Sequence, residues 1–218
     1  MNAANVLERC VREYGDKPAI IFRQEEISWT QLRDRVFSFS QSLLKLGVNP
    51  RDKVAIYLPN WPEYIVSYLA IWSIGACSVP LDFMLTEDEI TSCLDHSEAK
   101  ILITKYKANI SFANLKAKLP LLKSIISCQS EEDKEGLSFK NLLEQGANRA
   151  PEIEINEKDY AIIFYTSGTT GRPKGVLISY AQLDAPPKSI SFFVNSDLSV
   201  KDTTLCALPF SHLGGLIY

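Results

Sequence analysis

The sequence predicts an α/β protein with a largely parallel sheet and flanking helices. Short apolar, β-branched runs typical of buried strands alternate with segments whose apolar residues recur at helical spacing. Capping boxes and an early proline mark where several of those helices begin. The chain has 218 residues, of which 46% are hydrophobic and 22% charged, and this suits one or two globular domains.

The N-terminal part begins with a helix over Val6–Tyr14, which Gly15 is placed to end. Ile20–Phe22 is predicted as a short strand. Ser28–Gln31 has the form of a capping box, which opens a helix that runs towards Gly47. This part therefore supplies two helices and one strand.

The next part repeats the alternation. Val54–Leu58 is predicted as a strand, and Pro62 then occupies the first turn of an apolar helix that ends near Gly75. Ala76–Val79 returns as a strand, and Thr86–Glu89 forms a second capping box with acidic residues at the positive helix end.

The third part continues with a strand over Ala99–Thr104, an amphipathic helix over Lys105–Leu119 and a strand over Ile125–Cys128. The polar stretch Gln129–Glu135 is predicted to be an exposed excursion. Ala150–Lys158 is predicted to connect this part to the following strand. Strands alternating with helices in this way predict parallel pairing.

Composition argues against several classes of protein. A net charge of -3 and a pI near 5.5 give no support to nucleic-acid binding. The five cysteines contain no C-x-x-C pair and there are only two histidines, so a zinc site is not predicted. Reduced thiols in the cytoplasm are the expectation. The N-terminus has no secretory signal, and serines, Gly75 and Pro80 interrupt the uncharged stretch Tyr64–Leu81, so no membrane span is predicted.

A phosphate-binding loop is predicted between two apolar runs, Ala161–Tyr165 and Val176–Ile178. Its glycines, including Gly175, would let the backbone take positive φ and approach an anion, while hydroxyls and a lysine add donors. The candidate ligands of the phosphates are Thr166, Ser167, Gly168, Thr169, Thr170, Gly171 and Lys174.

Two better-known phosphate loops do not fit this segment. A Walker loop that began at Gly168 would require glycine where Pro173 stands, and the chain contains no G-x-G-x-x-G. An inert surface loop is the plain alternative. The buried flanks, the lysine and the absence of acidic residues favour phosphate binding.

The segment Tyr165–Val176, YTSGTTGRPKGV, resembles the signature loop of the adenylate-forming superfamily, which includes acyl-CoA synthetases, aryl-CoA ligases, luciferases and peptide-synthetase adenylation domains. Ser28–Leu32, Lys45–Val48, Asp52–Asn60 and Ile74–Asp82 resemble further stretches of the family's large N-terminal domain, in the expected order. The resemblance covers nearly the whole chain.

This resemblance implies a reaction in two steps. A carboxylate, which we expect to be a fatty or aryl acid, attacks the α-phosphate of ATP, and a thiol then takes the acyl group from the adenylate. The thiol is that of coenzyme A or of a carrier protein, and Mg²⁺ assists by neutralising the phosphates. A non-catalytic nucleotide-binding relative remains an alternative.

Leu208–Gly215 resembles the family's Leu-Pro-x-x-His segment, which implies that His212 and Gly214 lie at the acyl carboxylate. Without the family, His212 would be taken for a core or loop histidine with a satisfied hydrogen bond. Amino-acid-activating relatives usually place an aspartate here. No Asp or Glu lies between Thr203 and Tyr218, which favours a fatty or aryl acid over an amino acid.

The sequence also departs from the family pattern. Tyr180–Leu183 replaces the usual His-x-Asn-Leu, and Pro186 and Pro187 are expected to break the following helix. Residues 1–218 match the N-terminal part of the large domain only, without the magnesium-binding Thr-Glu segment, the ribose aspartate, the hinge and the C-terminal domain with its catalytic lysine. The resemblance assigns no catalytic residue or metal ligand to these residues. Alone, they are expected to bind ATP poorly and to form no adenylate.

Overall fold

The protein is described by a computed structural model for residues 2–129, 136–166, 174–183 and 202–217. The strands within these ranges are β1 (Pro18–Phe22), β2 (Glu25–Ser28), β3 (Lys53–Tyr57), β4 (Cys77–Pro80), β5 (Ile101–Thr104), β6 (Ser124–Ser127), β7 (Leu137–Ser138), β8 (Tyr160–Thr166) and β9 (Lys174–Ser179). The helices within them are α1 (Ala3–Tyr14), α2 (Trp29–Lys45), α3 (Pro62–Ser73), α4 (Glu87–Ser97), α5 (Phe112–Lys118), α6 (Phe139–Gln145), α7 (Tyr180–Leu183) and α8 (Leu213–Ile217).

A seven-stranded sheet forms the centre, with the strand order β7-β6-β5-β3-β4-β8-β9. Neighbouring strands are parallel from β7 to β8, and only the edge pair β8–β9 is antiparallel. The predicted α/β fold with a largely parallel sheet is confirmed. Because β3 connects to β4 on one side while β5 connects to β6 on the other, the carboxyl ends of β3 and β5 form a topological switch point, where α/β proteins bind ligands.

Helices cover both faces of the sheet, as a parallel sheet requires. On one face, α1, α2, α3 and α6 pack against inward residues such as Ile56, Ile103 and Ile162. On the other, α4 and α5 pack against the alternate positions, such as Ala55 and Leu102. The strands are apolar on both sides because each side faces a helical layer.

The predicted helix starts and ends are largely confirmed. Ser28 and Gln31 form the capping box of α2, and Thr86 and Glu89 form that of α4. Gly15 follows α1 with φ 48°, a backbone conformation that glycine adopts without the steric cost of a side chain. These local signals need no tertiary contact, and for that reason the sequence alone indicates them.

The predicted helix over Lys105–Leu119 is wrong in its first half, because α5 begins only at Phe112. Ser111 caps it by accepting a hydrogen bond from the Asn114 amide at 3.3 Å. The preceding residues instead follow the carboxyl edge of the sheet, where Lys105 and Lys107 contact aromatic side chains. Those contacts hold the segment in a non-helical path.

Several short elements were not predicted, among them β2, β7 and α6. Strand β2 pairs antiparallel with β1 in a separate hairpin, so that β1 lies outside the central sheet. Strand β7 has two residues and precedes the seven-residue helix α6. Such short elements carry too few residues for a periodic pattern.

A buried polar junction joins α3 to the strands β4 and β8. The Trp72 indole N–H lies 3.1 Å from both Ser78 Oγ and the Ala161 carbonyl oxygen, and the Ser78 hydroxyl donates to the same carbonyl at 3.0 Å. The Tyr180 hydroxyl donates to the Ala76 carbonyl at 2.7 Å. The bonds to Ala161 hold the first residues of β8 against α3 and β4.

Candidate functional site

The two ends of the predicted phosphate loop lie next to each other at the carboxyl end of β8. Thr166 pairs with Lys174, and Tyr165 pairs with Gly175, in the antiparallel β8–β9 ladder. Thr166 and Lys174 are exposed. The other candidate phosphate ligands lie outside the described residues: Ser167, Gly168, Thr169, Thr170 and Gly171.

Gly175 has a different role from the one predicted. It lies within β9 rather than in a positive-φ turn, and a Cβ atom added to it would approach Ile163 Cγ2 to 2.8 Å. The glycine therefore gives the side chain of the neighbouring strand room to pack. Its conformational freedom is not used in the described structure.

A polar clamp holds the segment that contains His212. The Asn60 side chain donates to the Leu208 carbonyl at 2.8 Å and accepts from the Phe210 amide at 2.9 Å. The Tyr68 hydroxyl donates to the Phe210 carbonyl at 2.8 Å. Because Asn60 follows β3 and Tyr68 lies on α3, the clamp fixes this segment at the carboxyl edge of the sheet.

His212 pairs with an aspartate that the sequence analysis did not identify. Its Nε2 lies 3.2 Å from Asp82 Oδ2, and the other carboxylate oxygen, Oδ1, accepts the Met84 amide at 2.9 Å. The His212 side chain is 55% exposed. It is therefore not a core histidine, and its hydrogen bond leaves most of the ring open to a ligand.

The pairing of β4 with β8 brings the two parts of the site together. These strands are parallel, with Ser78 opposite Ile162. Asp82 and Thr166 stand at the same distance along the chain from that pair, so both lie at the carboxyl edge on neighbouring strands. The His212–Asp82 pair and the base of the glycine-rich loop therefore both lie at the carboxyl edge of the sheet, at the ends of neighbouring strands.

Asp82 carried a signal that sequence reasoning could have used. It follows the strand β4 almost directly, and residues just beyond the carboxyl ends of parallel strands are where α/β proteins place their ligands. The stretch between Thr203 and Tyr218 holds no acidic residue, whereas Asp82 lies 130 residues before His212 in the chain. Proximity in the fold, not in the sequence, brings them together.

The two glycines after His212 predict a matched pair of variants. An added Cβ at Gly215 would overlap the Pro209 carbonyl, so Gly215→Ala should displace the segment and cost about 1 to 3 kcal/mol of stability. At Gly214 it would meet only Leu208 Cδ1, at 3.2 Å, the end of a flexible side chain. Gly214→Ala should therefore change the melting temperature little. Thermal unfolding checks both, and equal losses would contradict the steric account.

A lysine–aromatic cluster lies at the switch point between β3 and β5. Lys105 Nζ lies 4.8 Å from the Trp61 ring centroid and 5.3 Å from that of Phe83, which are distances of cation–π contact. Lys107 Nζ lies 2.8 Å from the Tyr57 hydroxyl and from the Phe83 carbonyl oxygen. Burial, followed by the charges of nearby carboxylates, raises the pKa of Tyr57 to about 12, so this phenol stays protonated at neutral pH.

Within this cluster only Lys105 is placed to meet a further anion. The Lys107 ammonium group donates to the Tyr57 hydroxyl and to the Phe83 carbonyl oxygen. Lys105 contacts aromatic rings and takes part in no ion pair among the described residues. Rings beside an ammonium group suit a ligand that carries both a phosphate and a base.

The described ranges contain neither a candidate metal cluster nor a candidate membrane span. No group of three or more His, Cys, Asp or Glu side chains that could hold a metal ion occurs there. Likewise, none of the helices in those ranges has the length and apolar composition needed to cross a membrane.

The fold and the site define an α/β protein whose candidate ligand groups converge at the carboxyl edge of a parallel sheet. A model of the AMP-binding enzyme family matches residues 7–218. A methyl-dioxo-octahydroindenyl-propanoyl:CoA ligase of Mycobacterium tuberculosis is 34% identical over 214 residues, which are 94% of this chain and 41% of that protein. The 4-coumarate–CoA ligase 1 of Petroselinum crispum is 29% identical over 219 residues, with 94% and 38% covered.

A solved structure has a fold similar to that of this chain. Apo MatB from Rhodopseudomonas palustris has a TM-score of 0.81 at 27% identity, covering 100% of this chain and 42% of that one. The chain belongs to the AMP-binding enzyme family, whose members related to it include acid–CoA ligases. It spans about two fifths of the length of these curated relatives.

Proposed function

We propose that the full-length protein activates a carboxylic acid with ATP and transfers the acyl group to coenzyme A. In the first step a carboxylate oxygen attacks the α-phosphorus, the bond to the bridging oxygen of the β-phosphate breaks, and pyrophosphate leaves. In the second, the thiolate attacks the acyl carbon and AMP leaves. The glycine-rich loop would hold the β- and γ-phosphates through its amides, its hydroxyls and Lys174.

One observation supports this proposal most: the loop base and the His212–Asp82 pair lie at the carboxyl ends of neighbouring strands, at one edge of the sheet. The acid bound beside His212 would lie next to a nucleotide whose terminal phosphates are held by the loop. When two reactants are held in this way, a bimolecular reaction becomes effectively unimolecular.

Mg²⁺ belongs to the proposal as the counter-ion of ATP. The described residues offer no cluster of carboxylates or histidines for it. Mg²⁺ is commonly held by substrate phosphates, water and one or two carboxylates, so it would enter with ATP and would need no such cluster.

A fatty or aryl acid is the proposed substrate. Asp82 could in principle hold the amine of an amino acid, but both of its carboxylate oxygens already have partners, the Met84 amide and His212. Each oxygen keeps a second lone pair, so these partners compete with a substrate ammonium group for Asp82 and do not exclude it. The proposed preference for a fatty or aryl acid therefore rests on the lack of Asp and Glu between Thr203 and Tyr218.

A panel of acids tests the proposal. The full-length protein with ATP and Mg²⁺ should exchange labelled pyrophosphate into ATP when it is given fatty or aryl acids. Amino acids should not support this exchange. Exchange driven by amino acids alone would contradict the proposed substrate class, and its absence with every acid would contradict the proposed activation step.

Coenzyme A is proposed as the acceptor because Lys105 and its aromatic neighbours suit a phosphorylated adenine nucleotide. Lys105→Ala should raise the KM for coenzyme A by about tenfold, the effect of losing one charge-assisted contact. The KM for pantetheine, which lacks the nucleotide, should not change. Lys116→Ala, at an exposed lysine of α5, is the matched control.

Two results would contradict this choice of acceptor. One is an unchanged KM for coenzyme A in Lys105→Ala. The other is transfer to the phosphopantetheine arm of a carrier protein with no transfer to free coenzyme A.

We also propose that the protein is cytoplasmic. All five cysteines are free thiols, as expected in a reducing compartment.

A further inference from the structure

The end of β8 that carries the glycine-rich loop pairs with β9 beyond its described pairing with the centre of the sheet. On its inner side, the described ladder between β4 and β8 pairs Ser78 with Ile162. On its outer side, the ladder with β9 continues to the Thr166–Lys174 pair. The last residues of β8, beyond the buried Ile163 and Phe164, therefore form a two-stranded ribbon with β9.

Tyr165 attaches this ribbon to α4. Its hydroxyl lies 3.2 Å from the Cys93 carbonyl oxygen and 2.8 Å from His96 Nδ1. The His96 and Tyr165 rings also meet edge to face, with centroids 5.7 Å apart. Helix α4 packs on the sheet through Cys93 and Leu94, so these contacts connect the loop base to the core.

Proton counting fixes the direction of the two hydrogen bonds. Burial raises the pKa of Tyr165 to about 12, so its hydroxyl keeps one proton at neutral pH. A carbonyl oxygen can only accept, and the hydroxyl proton therefore goes to Cys93. We therefore assign His96 the tautomer that carries a hydrogen on Nδ1, from which the Tyr165 oxygen accepts.

We propose that His96 is a positioning residue for ATP, which acts by holding Tyr165 and, through it, the base of the glycine-rich loop. This inference rests on the proposed function, because it gives the loop the phosphates of ATP as its ligand. His96 touches no substrate in this account. It limits the positions that Thr166 and Lys174 can take.

The expected effect is on nucleotide affinity. Loss of one hydrogen bond at the loop base should weaken ATP binding by about three- to tenfold. Because the loop holds the phosphates in the ground state and the transition state alike, the KM for ATP should rise while kcat stays the same. The KM for the acid should not change, since His212 and Asp82 lie on other segments.

The experiment compares variants of the full-length protein by ATP binding calorimetry and by pyrophosphate exchange. His96→Leu and Tyr165→Phe should each weaken ATP binding by the factor given above. His96→Asn, whose amide N–H can replace Nδ1–H, should stay within about twofold of the unaltered protein. Ser92→Ala, at an exposed position of the same helix, is the matched control.

Each outcome decides the inference. Unchanged ATP affinity in His96→Leu would overturn it, as would a loss in His96→Asn as large as that in His96→Leu. If the unaltered protein binds ATP but no acid drives exchange, the proposed function fails, and the ATP affinities of the variants still decide the role of His96. A protein that binds no ATP would overturn both.

Discussion

Replacing Ser167, Thr170 and Lys174 together by alanine is expected to lower ATP affinity by about 100-fold or more. A charge-assisted contact is worth about 1.5 to 3 kcal/mol and a neutral hydrogen bond about 0.5 to 1.5 kcal/mol, and the triple variant removes one lysine and two hydroxyls. Pyrophosphate exchange at limiting ATP should fall by the same factor. Calorimetry on the full-length protein measures the affinity directly.

The matched control for this variant is Lys158→Ala. Lys158 is an exposed lysine in the connector that precedes β8, so its loss changes the net charge equally without touching the loop. ATP affinity in this control should equal that of the unaltered protein. If the triple variant binds ATP as well as the control does, the loop is not the phosphate site.

The second large effect is expected at the His212–Asp82 pair. His212→Ala should lower kcat/KM for the acid by about 100-fold, the scale found when a preorganised polar group is removed from a reacting centre. Asp82→Ala should lower it by about tenfold, because it frees the His212 ring without removing it. The KM for ATP should change in neither variant.

A double-mutant cycle separates positioning from independent action. If Asp82 acts through His212, the double variant should be no worse than His212→Ala alone. Losses that multiply would show that the carboxylate has a separate role, and would reopen the possibility that it meets the substrate. Asp88→Asn, at an exposed aspartate of α4, controls for the change in charge.

The sequence predicted the features of this fold that depend on local chemistry. Ser28 and Thr86 cap their helices through side chains three residues away, and such signals survive in any tertiary context. The alternation of apolar strands and helices predicted the parallel sheet because each strand is buried on both sides. The apolar runs on either side of the glycine-rich loop also predicted the two strands that flank it. In the structure these strands pair, with Thr166 opposite Lys174.

What the sequence could not predict depends on contacts between distant segments. The helix expected from Lys105 does not form there because that lysine contacts Trp61 and Phe83. Asp82 reaches His212 only because Asn60 fixes the segment before it at the sheet edge. Gly175 was predicted to use a positive φ, but it lies within β9, because glycine in a loop and glycine beside a bulky neighbour look alike in sequence.

The central claim is that the acid is activated through an acyl-adenylate, and an isotope transfer measures this most directly. The full-length protein is given ATP, Mg²⁺, coenzyme A and an acid with both carboxylate oxygens labelled with ¹⁸O. Because a carboxylate oxygen attacks the α-phosphorus and the acyl–oxygen bond then breaks, the AMP released should carry one labelled oxygen, as mass spectrometry will detect. Unlabelled AMP, or ADP with labelled inorganic phosphate, would contradict this account.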